Sequence, residues 1–389
     1  MYKRVILIVL DGVGVGALPD ADRYGDAAAA TLPHVAEAVG SLNLPNLERL
    51  GLGRIVPLAG VAADLPPAGC WGKMAEISAG KDSVTGHWEL TGVVLDQPFA
   101  TFPNGFPAAI IRAFREQSGL DPLGNIAASG TEIIRDLGEE HLRSGRPIVY
   151  TSSDSVFQIA AHEAIIPPEQ LYKLCRLAEL IVRPYRVCRV IARPFVGSDR
   201  SNFKRTAGRH DFPQAPIAPT LLDRLQEEQI PTAGVGKIPD LFAGRGLSHC
   251  LPTRNNDHGM ATTLEVMEKI NFGLIMTNLV DFDMLYGHRL DAVGFARALT
   301  EFDAWLPKLF QQLTAADLLI VTADHGCDPT TPGTDHSREY VPLLVWSSML
   351  QGGVDLGVRS SFADVGATIA ESFNLTCGVG KSFLAEMRS

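Results

Sequence analysis

The residues best able to do chemistry fall in four clusters scattered from Asp11 to His336, and their side chains are hard donors: carboxylates, imidazoles and hydroxyls. Near the C-terminus, VTADHGCDPTTPGTDHSREYVPLL sets Asp324 beside His325, with His336 on the loop that follows. Adjacent Asp and His on a turn, with another His nearby, suit the oxygen and nitrogen ligands of a divalent metal. A second cluster, LVDFDMLYGHRLD, offers Asp283 with His288, and Asp281 as a competitor. In a strand the two carboxylates would share a face, so spacing does not choose between them, and one of them is expected to cap the next helix. The third is Asp11 in VLDGVGVG, whose glycines let backbone approach a ligand closely. A Rossmann phosphate loop is excluded, because Asp11 stands at the first loop position and Gly12, Gly14 and Gly16 lack the third glycine of that motif.

The fourth cluster, AGKDSVTGHWELTG, brings the hydroxyls of Ser83 and Thr85 just before a Gly-His pair. A hydroxyl is a poor nucleophile until a base or a cation lowers its pKa. Ser83 also suits a helix N-cap, a position that itself favours phosphate. Together the clusters supply roughly the six or seven O and N ligands that two cations about 4 Å apart need to clamp an in-line displacement at phosphorus. No Walker loop, kinase signature or HExxH is present.

The elements that must position these groups are short apolar runs. Val5 to Leu10 ends at Asp11, Gly273 to Val280 ends at Asp281 and Asp283, and Leu318 to Thr322 ends at Asp324. Such runs predict strands buried on both faces of a mostly parallel sheet, each delivering a carboxylate to the carboxyl edge where open α/β sheets bind ligands. Between them Phe295, Leu299, Phe302, Leu306 and Leu309 recur at helical spacing and predict core packing for a helix over 291–313. The middle of the chain has its own strands near Ile148 to Thr151 and Val187 to Ala192, and a helix near Pro168 to Ile181. Pro/Gly-rich segments flank it, so the expected organisation is a core of 1–97 and 217–389 with a smaller α/β domain, 98–216, inserted.

The 389 residues carry a net charge of −10, which argues against nucleic acid or an anionic membrane surface as the main partner. A negatively charged substrate must then be attracted locally, by cations and a few placed Arg or Lys. Six cysteines without a CxxC pair suggest reduced thiols in a cytoplasm. The N-terminal apolar run is too short for a signal peptide or a membrane span. The sequence does not set an oligomeric state.

Asp11, GKDSVTGHWE, DFDMLYGH, TADHG and GTDH together resemble the alkaline phosphatase superfamily. YTSSDSVFQIAAHE, RVIARPFVG, GRHDF, VGKIPD and SREYVPLL extend the likeness nearly end to end to one branch of it, mutases that act on pentose phosphates. The resemblance implies an α/β core with a central mostly parallel sheet, helices on both faces and an inserted cap. It implies one metal site from Asp11, Asp324, His325 and the Ser83 oxygen, and another from Asp283, His288 and His336. Both ions are normally manganese in the family, with magnesium, cobalt or zinc as substitutes. Ser83, where the family usually has Thr, is implied as the phosphorylated nucleophile, and Cys327 stands where the family commonly has Asn. Ser152, Asp154, Arg189 and Ile191 of the cap and Lys237 of the core are implied to face the pentose and its distal phosphate.

The reaction so implied moves phosphate between the 1- and 5-positions of ribose or 2-deoxyribose, through a phosphoserine enzyme and a sugar bisphosphate that also primes it. Its rivals are a phosphomonoesterase or a mutase for another sugar phosphate with the same metals, and an inactive sugar-phosphate binding protein. Release of free phosphate marks the hydrolase; absence of a phosphorylated Ser83 marks the binding protein.

Overall fold

The computed structural model describes residues 2–152 and 155–388. Two compact units are present, Met1–Gln97 with Pro216–Ser389, and Pro98–Ala215. In chain order the strands are β1 (Arg4–Leu10) and β2 (Cys70–Met74) in the first unit. The second unit follows with β3 (Leu123–Ala127), β4 (Ile148–Thr151), β5 (Val156–His162), β6 (Arg189–Val196), β7 (Lys204–Arg205) and β8 (His210–Pro213). The first unit then resumes with β9 (Thr232–Val235), β10 (His249–Leu251), β11 (Gly273–Leu279), β12 (Asp317–Thr322), β13 (Val341–Trp346) and β14 (Asp355–Arg359).

In the first unit the sheet runs β10-β9-β11-β1-β12-β13-β2-β14. Strand β1 lies between β11 and β12 and parallel to both, with Ile6 opposite Ile275 and Leu319. Only β13 runs against the others, pairing antiparallel with β12 and β2. Every residue of β1, β11 and β12 is buried, which is why these runs are mostly apolar rather than alternating. The helix Ala292–Gln312 buries Phe295, Leu299, Phe302, Leu306 and Leu309 as one stripe. At the amino edge of the sheet, Arg4 pairs with Asp317 through Nε–Oδ1 (2.8 Å) and Nη2–Oδ2 (2.7 Å), and its Nη1 donates to the Met267 carbonyl. That edge is thereby closed by an ion pair, and the opposite edge gathers the remaining acids with imidazoles.

The second unit is a mixed sheet, β3-β4-β5-β6-β7 with β8 on β6. Phe106, Phe114, Phe157 and Leu171 pack in one of its cores, between the sheet and the helices Ala108–Ser118 and Pro168–Val182. Ile133, Ile134, Tyr150 and Phe195 form the other, beneath the helix Gly130–Ser144. Among the described residues no helix is long and apolar enough to cross a membrane.

Candidate metal and phosphate centre

Because β11, β1 and β12 are adjacent and parallel, the residues that follow them share one edge of the sheet. Asp11 comes directly after β1, and Asp324 two residues after β12. After β11 the chain leaves strand geometry and enters a π-helical turn, Phe282–Gly287, which points Asp283 inward. Asp281 turns elsewhere: its Oδ2 accepts from the Asn256 backbone N–H (2.8 Å), and its own N–H donates to Asn256 Oδ1. It therefore braces the start of the preceding helix, Asn256–Lys269, and not of the next one, as the spacing had suggested.

Ser83 opens the helix Ser83–Leu90, but its N-cap is Asp82, not Ser83. Asp82 accepts from the Thr85 N–H (3.1 Å) and from the Thr85 hydroxyl (2.6 Å), so Thr85 is spent on the cap. The Ser83 hydroxyl is left to the edge, where Oγ donates to Asp11 Oδ1 (3.3 Å) and lies 3.2 Å from His325 Nε2. Gly86 permits this approach, since a Cβ there would come 2.0 Å from the Asp324 carbonyl oxygen.

Two groups of ligand atoms converge. His325 Nε2 lies 3.2 Å from Asp11 Oδ1 and 3.4 Å from Asp324 Oδ2. Asp283 approaches His288 Nε2 with Oδ2 (3.2 Å) and His336 Nε2 with Oδ1 (3.4 Å). His288 Nδ1–H donates to the Thr334 carbonyl (2.6 Å), which turns Nε2 toward the carboxylate. The His336 ring sits 4.2 Å from that of His325 and 4.7 Å from that of His288, so the two groups adjoin.

The charges are interdependent. Burial favours the neutral form of Asp11, but the Lys237 ammonium and His325 outweigh it and bring the carboxyl down to about 2. Burial likewise opposes the charge on Asp283, and hydrogen bonds from His288 and His336 hold it well below the usual carboxylate range. His325 is pushed down by burial yet stands well above the ordinary imidazole value, because Asp324 and Asp11 surround it. His288 is raised chiefly by its bond to Asp283. Carboxylates this exposed to one another need a cation; imidazolium is one form, and a divalent metal with neutral imidazoles is the other.

The donor set fits such metals. Asp324 Oδ2 and Asp283 Oδ1 are buried without a well-formed hydrogen bond, the imidazole nearest Asp283 Oδ1 being His336 Nε2 at 3.4 Å. His87 Nδ1 lies 3.0 Å from Asp324 Oδ2 but directs its hydrogen to the Ser83 carbonyl at 2.8 Å. Unpartnered buried anionic oxygens are costly unless an ion coordinates them. Asp11, Asp324 and His325 form one group with ligand atoms mutually within 4.8 Å, and Asp283, His325 and His336 another.

Of the remaining expected residues, Lys237 belongs to the first unit and acts on Asp11 through its charge. Arg189 and Ile191 lie on β6 of the second unit; Arg189 Nη1 is 3.5 Å from Asp211 Oδ2 and Ile191 is buried. Ser152 is half-buried, and Asp154 lies outside the described residues.

Three supporting residues were not anticipated. His87 and Asn278 are fully enclosed behind the edge, and Asn278 Nδ2 donates to Asp11 Oδ2 (2.9 Å) while lying 3.4 Å from His87 Nε2. Arg338 joins the loop after His336 to the loop before Ser83: Nη1 donates to Glu76 Oε2 (2.8 Å) and to the carbonyls of Ser78 (2.8 Å) and Gly80 (2.7 Å). Removing one partner of such a buried pair is expected to cost about 3–5 kcal/mol. Arg338→Met should therefore lower the urea midpoint strongly, and an unchanged midpoint would refute the clamp.

Comparison with known proteins is unambiguous about kinship. Residues 3–377 match the Metalloenzyme superfamily. The chain is 60% identical to the phosphopentomutase of Syntrophotalea carbinolica, over 98% of each chain. It is 56% identical to that of Carboxydothermus hydrogenoformans, over 99% of this chain and all of the other. Among solved structures, the PH0037 protein of Pyrococcus horikoshii aligns over 98% of this chain with a TM-score of 0.50 at 15% identity, a likeness of fold.

Proposed function

Since the chain belongs to the Metalloenzyme superfamily and, within it, to the phosphopentomutase family, we propose that it interconverts the 1- and 5-phosphates of ribose or 2-deoxyribose. The observation that carries this reading is the Ser83 hydroxyl, held between Asp11 and His325 and excused from capping its own helix. Asp11, Asp324 and His325 with Ser83 would hold one cation, and Asp283, His288 and His336 the other. Two manganese ions suit this O/N set, and bound there they would supply Lewis acidity, lowering the pKa of the attacking hydroxyl and neutralising the phosphoryl oxygens.

Ser83 carries the phosphoryl group at rest. The free hydroxyl of the incoming monophosphate gives up its proton and attacks phosphorus, the bond to Ser83 Oγ breaks with its electron pair returning to Oγ, which takes up a proton, and a sugar bisphosphate results. Ser83 Oγ then loses that proton and attacks the other phosphate; the sugar oxygen leaves with its electron pair, is protonated, and the isomer is released from the regenerated phosphoserine. A sugar bisphosphate loads the enzyme initially. Arg189, whose planar fork matches phosphate oxygens, is assigned to the phosphate not in transfer. Ser152, Asp154 and Ile191 are assigned to the sugar, and Lys237 to charge balance beside Asp11. Six free cysteines support a reducing, cytoplasmic setting.

A coupled assay with ribose 1-phosphate tests the reading. Chelation should cut turnover by about 10³-fold, the equivalent of roughly 4 kcal/mol of lost transition-state stabilisation, and manganese should restore it. Steady release of inorganic phosphate, indifferent to added bisphosphate, would show a hydrolase instead.

A further inference from the structure

We propose that Cys327 is an additional donor to the cation position of Asp283, His288 and His336, giving this chain a sulfur-containing site for thiophilic divalent cations such as zinc or cadmium. The inference rests on the two-cation reading above and concerns only what the second position selects.

Asp283, His288 and Cys327 each present one ligand atom, all within 4.8 Å of one another. Cys327 Sγ borders the His288 ring, 3.9 Å from Nδ1, the nitrogen that donates to the Thr334 carbonyl; the nitrogen facing Asp283 is Nε2. The other polar neighbours of Sγ are the Asp335 carbonyl at 4.0 Å and the Asp283 carboxylate, to which the S–H hydrogen-bonds. Asp283 is 3% exposed, and its Oδ1 makes no well-formed hydrogen bond, with His336 Nε2 standing 3.4 Å away, so a cation between them would satisfy both.

Two glycines open the space around this pair. A Cβ on Gly12 would stand 2.9 Å from Cys327 Cβ and 3.6 Å from Asp283 Oδ1, and one on Gly287 would stand 2.4 Å from Sγ. A buried cysteine ordinarily packs as a small hydrophobe. Here its neighbours are a carboxylate and an imidazole, and Cys327 is only 1% exposed.

On binding, the S–H bond breaks, a sulfur–metal bond forms and the proton passes to solvent. Thiolate is a soft ligand that favours zinc, whereas oxygen donors suit manganese, so a single sulfur moves the preference of the site.

X-ray absorption on the zinc-loaded wild-type chain should show a sulfur shell at about 2.3 Å. Cadmium titration should give an ultraviolet sulfur-to-metal charge-transfer band in wild type and in Cys250→Ser, and none in Cys327→Ser. Competition should show cadmium affinity relative to manganese falling about 10- to 100-fold in Cys327→Ser. A zinc shell of oxygen and nitrogen alone in wild type overturns the inference, whatever the fate of the variant, as does a band undiminished in Cys327→Ser. If manganese still binds and supports turnover in those cases, only the sulfur assignment has failed. A wild-type chain that binds no divalent cation has instead refuted the two-cation reading itself.

Discussion

Ser83→Ala should abolish mutase turnover, with kcat falling by about 10⁴-fold or more, as removal of a covalent nucleophile does elsewhere. The expectation follows from Oγ lying 3.3 Å from Asp11 Oδ1 and 3.2 Å from His325 Nε2. Thr85 offers the informative contrast, because its hydroxyl donates to Asp82 at 2.6 Å and stays with the cap. Thr85→Ala should cost about 1 kcal/mol of stability through the weakened cap and leave most of the turnover. Mass spectrometry after loading with a sugar bisphosphate should find phosphate on Ser83 in wild type and in Thr85→Ala, and nowhere in Ser83→Ala. Full activity in Ser83→Ala with none in Thr85→Ala would reassign the nucleophile and leave the family untouched.

Asp324→Asn should reduce manganese content from two ions per chain to one and lower kcat by about 10³-fold, the loss of several kcal/mol of charge stabilisation. Asp324 fixes its carboxylate through Oδ1, which accepts from the Gly12 N–H at 3.1 Å, and leaves Oδ2 buried and unpartnered for a cation. Asn at this position keeps the shape and the bond to Gly12 but presents either a neutral oxygen or an N–H to the ion. Metal analysis after dialysis against manganese reads the stoichiometry, and paramagnetic resonance reads the coupling between paired ions. Two ions retained at wild-type turnover would remove Asp324 from the ligand set.

Much of this edge could be read from residues alone. Asp11 and Asp324 each close an apolar run that had to be a buried strand, and three parallel strands ending in acids leave few places for those acids to go. The choice between Asp281 and Asp283 was not legible, because strand alternation does not apply once the backbone enters the π-helical turn at Phe282. Nor could Ser83 be told from Asp82 as the cap, since both residue types accept from a backbone N–H in that place. Asn278 gave no local signal, and His87 was visible only as the histidine of the Gly-His pair, with no partner named. Their contact depends on a strand and a helix nearly two hundred residues apart in the chain lying back to back, and only the sheet order creates it. The same holds for Arg338, whose partners are the distant Glu76 carboxylate and carbonyls that any sequence would supply. The reversed strand β13 was likewise beyond periodicity, because a strand covered on both faces looks the same in either direction.

Among the described residues, strand β1 is paired only with residues from Gly273 onward and from Asp317 onward. As the polypeptide leaves the ribosome, this apolar ribbon must wait without a neighbour until most of the chain has been translated, while the contiguous second unit can already fold. Late closure of so long a loop makes the newborn protein slow to mature and sticky in the interval, so chaperone capacity should govern its yield in cells more than the stability of the finished sheet does.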